Sequence, residues 1–183
     1  SNAKKQAKDF IKVHIVNETK KKKGLKVGDN SLHSIYKGNP GTGKTTVARL
    51  IAQILSQKKV IKKDLLVEVT RQDLVAGFVG QTAIKTEKVL KSALGGVLFI
   101  DEAYTLYSKS ENDYGIEAIE TILKFMEDNR GNIMIILAGY PKEMDELMSV
   151  NPGLESRIKN EIIFDDYTCL LYTSDAADDL LCV

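Results

Sequence analysis

At 183 residues, with 43% apolar and 28% charged side chains, 13 glycines and 3 prolines, the chain is long enough to bury about 70% of its unfolded surface around one core. Its composition excludes disordered, collagen-like and disulfide-dense classes. Net charge is +1, no apolar run reaches the roughly 18 residues of a spanning helix, and the lysine-rich start leads into no signal-type core, so a soluble, cytoplasmic protein is expected.

Ser1-Asn2-Ala3 resembles the remnant of a cleaved expression tag, which places the expected domain at 4–168. Residues 4–17 carry helical spacing at Ala7, Phe10, Ile11 and His14, and a lysine-rich, glycine-punctuated loop follows to Asn30. Residues 1–30 hold nine lysines against Asp9, Glu18 and Asp29, a local +6 that leaves −5 for the remainder. Such a stretch could serve nucleic acid or an anionic membrane, but without interleaved aromatics it reads as a solvated helix and loop. A strand is expected at 33–37, a glycine-rich turn at 38–43, and a helix at 45–56 with apolar Val47, Leu50, Ile51, Ile54 and Leu55. Strands at 65–70, 97–100, 133–138 and 161–164 alternate with helices at 82–94, 116–127 and 144–148. That alternation predicts an α/β fold, a parallel sheet with helices on both faces.

Both cysteines, Cys169 and Cys182, lie in the last fifteen residues, so residues 1–168 have no disulfide or thiolate metal site, as in a reducing compartment. The tail CLLYTSDAADDLLCV opens like translated read-through of a transposase adapter used in sequencing, and residues 169–183 are expected to be non-native. The alternative is a genuine terminal segment in which Ser174 caps a short helix with an acidic first turn.

Chemistry concentrates at two places. Gly38-Asn39-Pro40-Gly41-Thr42-Gly43-Lys44-Thr45, followed by Thr46, matches G-x-x-x-x-G-K-[ST] between a predicted strand and a predicted helix. Its glycines let backbone N–H groups converge on phosphate oxygens, the helix N-terminus adds positive charge, Lys44 reaches the outer phosphates and Thr45 offers a hydroxyl to Mg²⁺. The ordinary alternative is a glycine turn followed by a coincidental Lys-Thr. The apolar strand Val97-Leu98-Phe99-Ile100 ends in Asp101-Glu102, two carboxylates at the sheet edge where open α/β folds bind ligands. Asp101 is expected to hold Mg²⁺ through water and Glu102 to polarise the water that attacks the γ-phosphate of ATP. Alone, Asp-Glu after a strand is also a common helix start.

The segments GNPGTGKTTVAR, GFVGQTAIKT, GGVLFIDEAYTL, DYGIEAIETILKFMED, MIILAGY, NPGLESRI and IIFDDY together resemble the AAA+ ATPases grouped with stage V sporulation protein K and red-type Rubisco activase, over about residues 7–168. The resemblance implies the large α/β part of an AAA+ module, strand order 5-1-4-3-2, binding of ATP or ADP with Mg²⁺, and a hexamer whose pore grips polypeptide. It puts Phe78-Val79-Gly80 at the pore loop, with a Phe buried under that loop as the alternative. It puts Arg157 at the arginine finger, with a charge complementing a helix C-terminus as the alternative. Ala138-Gly139-Tyr140 falls at the sensor-1 region, where only Tyr140 has a polar hydroxyl.

The chain also departs from that pattern. By the resemblance an adenine-covering linker is expected before Lys4 and a helical lid after Phe164-Asp165-Asp166-Tyr167, and neither is expected within this chain; Lys37 stands where a small polar residue is usual, and Asp165 replaces a usual proline. Three functions are therefore open: an ATP-hydrolysing motor that remodels protein substrates, a nucleotide-controlled interaction module with negligible turnover, and a nucleic-acid factor of the clamp-loader kind. The first is expected of the complete protein, the Phe78-Val79-Gly80 loop favouring a threaded polypeptide over nucleic acid; the second suits this chain alone, as a monomer or non-ring oligomer. His14 and His33 lack partners at metal spacing and read as structural. Glu111-Asn112-Asp113 reads as a solvated loop, and Tyr104, Tyr107 and Tyr114 as packing beside Glu102.

Overall fold

The computed structural model describes residues 1–28, 30–110 and 112–166. In chain order these form α1 (Asn2–Lys22), β1 (Ser34–Gly38), α2 (Lys44–Gln57), β2 (Leu66–Val69), α3 (Arg71–Leu74), α4 (Gln81–Ser92), β3 (Val97–Ile100), a 3₁₀ turn (Ala103–Leu106), α5 (Gly115–Asp128), β4 (Met134–Gly139), α6 (Pro141–Val150), α7 (Pro152–Arg157) and β5 (Asn160–Phe164). The expected tail at 169–183, together with Tyr167, Thr168 and the Glu111 of the expected solvated loop, lies outside the described residues.

The strands make one parallel sheet in the order β2-β3-β4-β1-β5, which is the expected 5-1-4-3-2 seen from the other edge. Successive side chains point to opposite faces. Leu98, Ile100, Ile135 and Leu137 therefore join one core with α4, α5, α6 and α7, while Val97, Phe99, Met134 and Ile136 join a second core with α1 and α2. Both faces being covered, every residue of β3 and β4 is buried, which is why these strands read as continuous apolar runs.

The helix expected at 4–17 runs instead from Asn2 to Lys22. Ser1 caps it by accepting from Lys4 N–H at 3.3 Å, and Ala3 is buried in the second core. Lys20, Lys21 and Lys22 occupy its last turn, where positive charge complements the helix dipole. Gln6 of α1 accepts from the backbone N–H of Ile163 at 2.7 Å, which satisfies a donor on the edge strand β5. Pro141 starts α6 three residues before the expected bound, and α3, α7 and the 3₁₀ turn are additions of four to six residues. No helix among the described residues is long and apolar enough to cross a membrane.

Candidate functional site

β1 delivers the chain to Gly38 and α2 begins at Lys44. The loop between them needs its glycines for stated reasons. Gly41 and Gly43 sit at φ of 74° and 90°, left-handed conformations that side chains resist. A Cβ on Gly38 would stand 2.7 Å from Phe164 Cβ and 2.9 Å from Thr42 Oγ1. Thr42 is buried, its hydroxyl donating to the Asn39 carbonyl at 2.7 Å. The Lys44 ammonium donates to the carbonyls of Gly38 and Asn39, both at 2.8 Å. Burial lowers the Lys44 pKa, and the charge of Asp101 opposes that shift.

β3 brings Asp101 and Glu102 to the same edge. Glu102 has φ 49° and ψ 43°, a strained backbone for a non-glycine residue. Its N–H donates to Asp101 Oδ1 at 2.9 Å, and its carbonyl accepts from Thr105 N–H at 2.9 Å and Thr105 Oγ1 at 2.7 Å. A cleft of about 290 Å³ opens between the two segments, lined by Gly38, Pro40, Gly41, Gly43, Lys44, Thr45 and Thr46 on one side and Asp101, Glu102, Tyr104, Gly139 and Tyr140 on the other.

Asn39 and Thr42 do not line the cleft; the Asn39 amide instead donates to the Asp166 carboxylate at 2.9 and 3.2 Å, tying the loop to the segment after β5. The donor set fits a Mg-nucleotide: glycines leave space for phosphate against backbone, Lys44 supplies a cation, and the Thr45 hydroxyl and Asp101 carboxylate are hard oxygen ligands of the kind Mg²⁺ takes in ones and twos. A neighbour that sequence reading missed is Glu68 of β2, whose carboxylate accepts from Thr45 Oγ1 at 3.4 Å and lies 3.5 Å from Arg49 Nη2.

Phe78 and Val79, between α3 and α4, are 70% and 82% exposed, so the alternative of a buried Phe is overturned. Gly80 closes their loop at φ 77°. The loop's base is pinned: Thr82 Oγ1 accepts from Ala76 N–H at 3.0 Å and Thr86 Oγ1 donates to the Leu74 carbonyl at 2.8 Å.

Arg157 ends α7, ahead of the amino end of β5, and so sits at the sheet edge opposite the cleft. Its guanidinium donates to the Gly153 carbonyl at 3.1 Å, the contact a helix-terminal charge would make, and its Nε lies 3.2 Å from Glu127 Oε1. Arg130, Lys62 and His33 share with it a second cavity of about 760 Å³.

Other expectations resolve locally. Lys37 ion-pairs with Asp145 of α6 and Glu161 of β5; burial depresses it, but the two carboxylates raise its pKa on balance. His33 Nδ1 accepts from Ile135 N–H at 3.0 Å, and burial takes its pKa to about 4. His14, its ring centre 4.3 Å from that of Phe10 at a tilt of 53°, falls to about 4 through burial and then Lys21. Tyr104 packs on Tyr140 with ring centres 5.7 Å apart. The expected solvated loop is corrected at Asp113, whose side chain is only 10% exposed and ion-pairs with Arg71 at 2.5 Å.

The family profile described as "ATPase family associated with various cellular activities (AAA)" matches residues 35–166. Stage V sporulation protein K of Bacillus subtilis (strain 168) is 49% identical over 165 residues, 90% of this chain and 51% of that protein. The plasmid-encoded protein CbxX of Cupriavidus necator is 49% identical over 165 residues, 90% of this chain and 52% of its own. The chloroplastic ribulose bisphosphate carboxylase/oxygenase activase of Cyanidioschyzon merolae is 49% identical over 166 residues, 90% of this chain and 57% of its own. The chain thus spans about half the length of the curated relatives it matches.

Proposed function

The chain belongs to the AAA family of ATPases, and on that premise we propose that it binds ATP or ADP with Mg²⁺ at the P-loop cleft and hydrolyses ATP as one subunit of a ring that remodels protein substrates. The observation that carries this is the convergence of Lys44, Thr45, Asp101 and Glu102 on one cleft at the carboxyl edge of a parallel sheet.

The backbone N–H groups of residues 41–46 and the start of α2 hold the phosphates, and Lys44 exchanges its two carbonyl partners for phosphate oxygen. Thr45 and Asp101 hold Mg²⁺, directly or through water; bound there, the ion neutralises charge on the phosphates. Glu102 orients the attacking water and accepts its proton, a task suited to a carboxylate fixed by a rigid turn. Tyr140 borders the cleft where a hydroxyl can sense the γ-phosphate.

Arg157 cannot serve its own cleft, since α7 delivers it to the opposite sheet edge. It serves the cleft of a neighbouring copy, where an arginine contributes about 10³ to 10⁵ in rate. A lone copy then binds nucleotide with negligible turnover. The exposed Phe78-Val79-Gly80 loop is the segment that grips polypeptide. That one relative's name identifies it as an activase of a carboxylase, itself a protein, supports a protein substrate.

Mixed rings test the reading. Lys44→Ala subunits keep Arg157 but not the cleft, and Arg157→Ala subunits the reverse. Each alone should be inactive, and mixing should restore turnover; a mixture as dead as its parts would refute the shared site.

A further inference from the structure

Glu102 needs support, because its left-handed backbone is one that side chains rarely adopt unless their surroundings hold them there. Its carbonyl is held by the N–H and hydroxyl of Thr105. The carbonyl of Thr105 in turn accepts from Arg71 Nη1 at 2.5 Å, and Arg71 Nη2 pairs with Asp113 Oδ1 at 2.5 Å. Asp113 also accepts from the N–H of Gly115, the first residue of α5, at 2.9 Å. The slot is closely fitted: a Cβ on Gly115 would stand 2.1 Å from the Leu106 carbonyl and 2.7 Å from Arg71 Nη1. Burial would raise the Asp113 pKa, but its bonds to Arg71 and Gly115 bring it below the usual range.

Arg71 is also the first residue of α3, fixed there by the capping box of Thr70 and Asp73. Four residues later the chain enters the loop of Phe78 and Val79, whose base α4 pins through Thr82 and Thr86. Arg71 therefore joins the turn that carries Glu102, through its guanidinium, to the short helix that leads into the exposed loop, through its own backbone. A partly buried ion pair contributes little net stability once desolvation is counted, so its geometry is the more telling feature. Two donors in fixed relation bridge a carbonyl and a carboxylate, which a lysine ammonium, a point charge, does not reproduce.

We propose that Arg71, with Asp113, is a positioning residue that sets the Glu102 turn through Thr105 and couples the nucleotide cleft to the Phe78 loop. The proposal rests on the reading of Glu102 as the carboxylate of an ATP site. It requires that the loop respond to nucleotide, and that this response need the fork of Arg71 rather than its charge.

The test uses the 183-residue chain as wild type, Arg71→Lys, Arg71→Met and Asp113→Asn. A fluorescent ADP reports binding, and hydrogen exchange with and without Mg-ATPγS reports residues 101–107 and 75–81. In the wild type, nucleotide should slow exchange in both segments. In all three variants ADP affinity should stay within about threefold, exchange at 101–107 should rise about tenfold, and the response at 75–81 should vanish. Arg71→Lys matching wild type would show that charge suffices and overturn the proposal, as would an undiminished response at 75–81 in any variant. Loss of ADP binding in step with a lowered Tm in both Arg71→Lys and Asp113→Asn would make the bridge a strut of the fold and overturn it too. A wild type with no nucleotide response, matched by Lys44→Ala, would overturn the cleft reading and this proposal together; normal wild-type response with unaffected variants overturns this proposal alone.

Discussion

The ammonium of Lys44 is bonded to the carbonyl of Gly38, the last residue of the strand that precedes its own helix, at 2.8 Å. The lysine is thus folded back over its own loop, also donating to the Asn39 carbonyl at 2.8 Å. Lys44→Ala returns two carbonyls to water and removes the cation. ADP affinity should fall about a hundredfold, near 3 kcal/mol, while the unfolding midpoint changes little. Calorimetric titration decides it, and equal binding by the variant would remove the phosphate-site reading.

Glu102 carries function and strain at one position. Glu102→Gln keeps the side-chain shape and leaves Asp101 in place, so nucleotide binding should persist while turnover in assembled rings falls by about 10² or more. Glu102→Gly should go further in a different direction: relief of the φ 49° backbone raises stability by on the order of 1 kcal/mol as activity is lost. Urea unfolding of the three forms measures this, and a glycine variant less stable than wild type would show that the turn is not strained.

The strands and the glycine-rich turn were legible because one residue pattern decides each: β3 at Val97–Ile100 falls where its four apolar residues put it, and the glycines at 41 and 43 take the left-handed turn between β1 and α2. Strand order came from the family resemblance, since nothing local in β1 says that β4 and β5 flank it. The last turn of α1 escaped because lysines show no apolar period, although its dipole favours them. Helices as short as α3, four residues, are set by capping rather than periodicity. At the site, Asp113 looked like loop because its partner Arg71 is 42 residues away, and the Asn39–Asp166 bond spans 127. Such pairings exist only after the sheet has been assembled.

Phe78 is 70% exposed, so Phe78→Ala removes little buried area. Stability should change by less than about 0.5 kcal/mol, against the 3 to 5 kcal/mol of a core Phe. In assembled rings basal hydrolysis should also survive, with only substrate-dependent work lost. Thermal melts provide the first check, and a large drop in Tm would restore the buried alternative.

Tyr36 is fully buried between Phe99 and Phe164, at centroid distances of 6.3 and 5.3 Å, and its hydroxyl has no hydrogen-bond partner among the described residues. Burial raises its pKa, so it stays neutral. Its ring is well packed, yet the hydroxyl has given up water without compensation. Tyr36→Phe keeps the ring and deletes that group, and should stabilise the chain by about 1 kcal/mol. Denaturant unfolding would settle it, with destabilisation pointing to an unrecognised partner for the hydroxyl.

Acid should weaken the fold in a window set by the two imidazoles. His14 and His33 both fall from 6.5 to about 4 in the folded chain. His33 has a direct reason: Nδ1 accepts from Ile135 N–H, so it must stay unprotonated there while the bond to β4 is kept. Between pH 6.5 and 4 the unfolded chain binds protons that the folded one refuses, so stability is full above about pH 6.5 and declines as pH falls, by up to roughly 3 kcal/mol per imidazole. Asp113 acts lower: its depressed pKa supplies stability that is lost only below the ordinary carboxylate range. His33→Asn, whose side-chain oxygen can accept from the same N–H, should flatten the slope between pH 6.5 and 5 by about one proton. Urea midpoints across pH 5 to 8 provide the measurement, and a midpoint that holds constant from pH 7 to 5 in the wild type would mean that neither imidazole is held neutral by the fold.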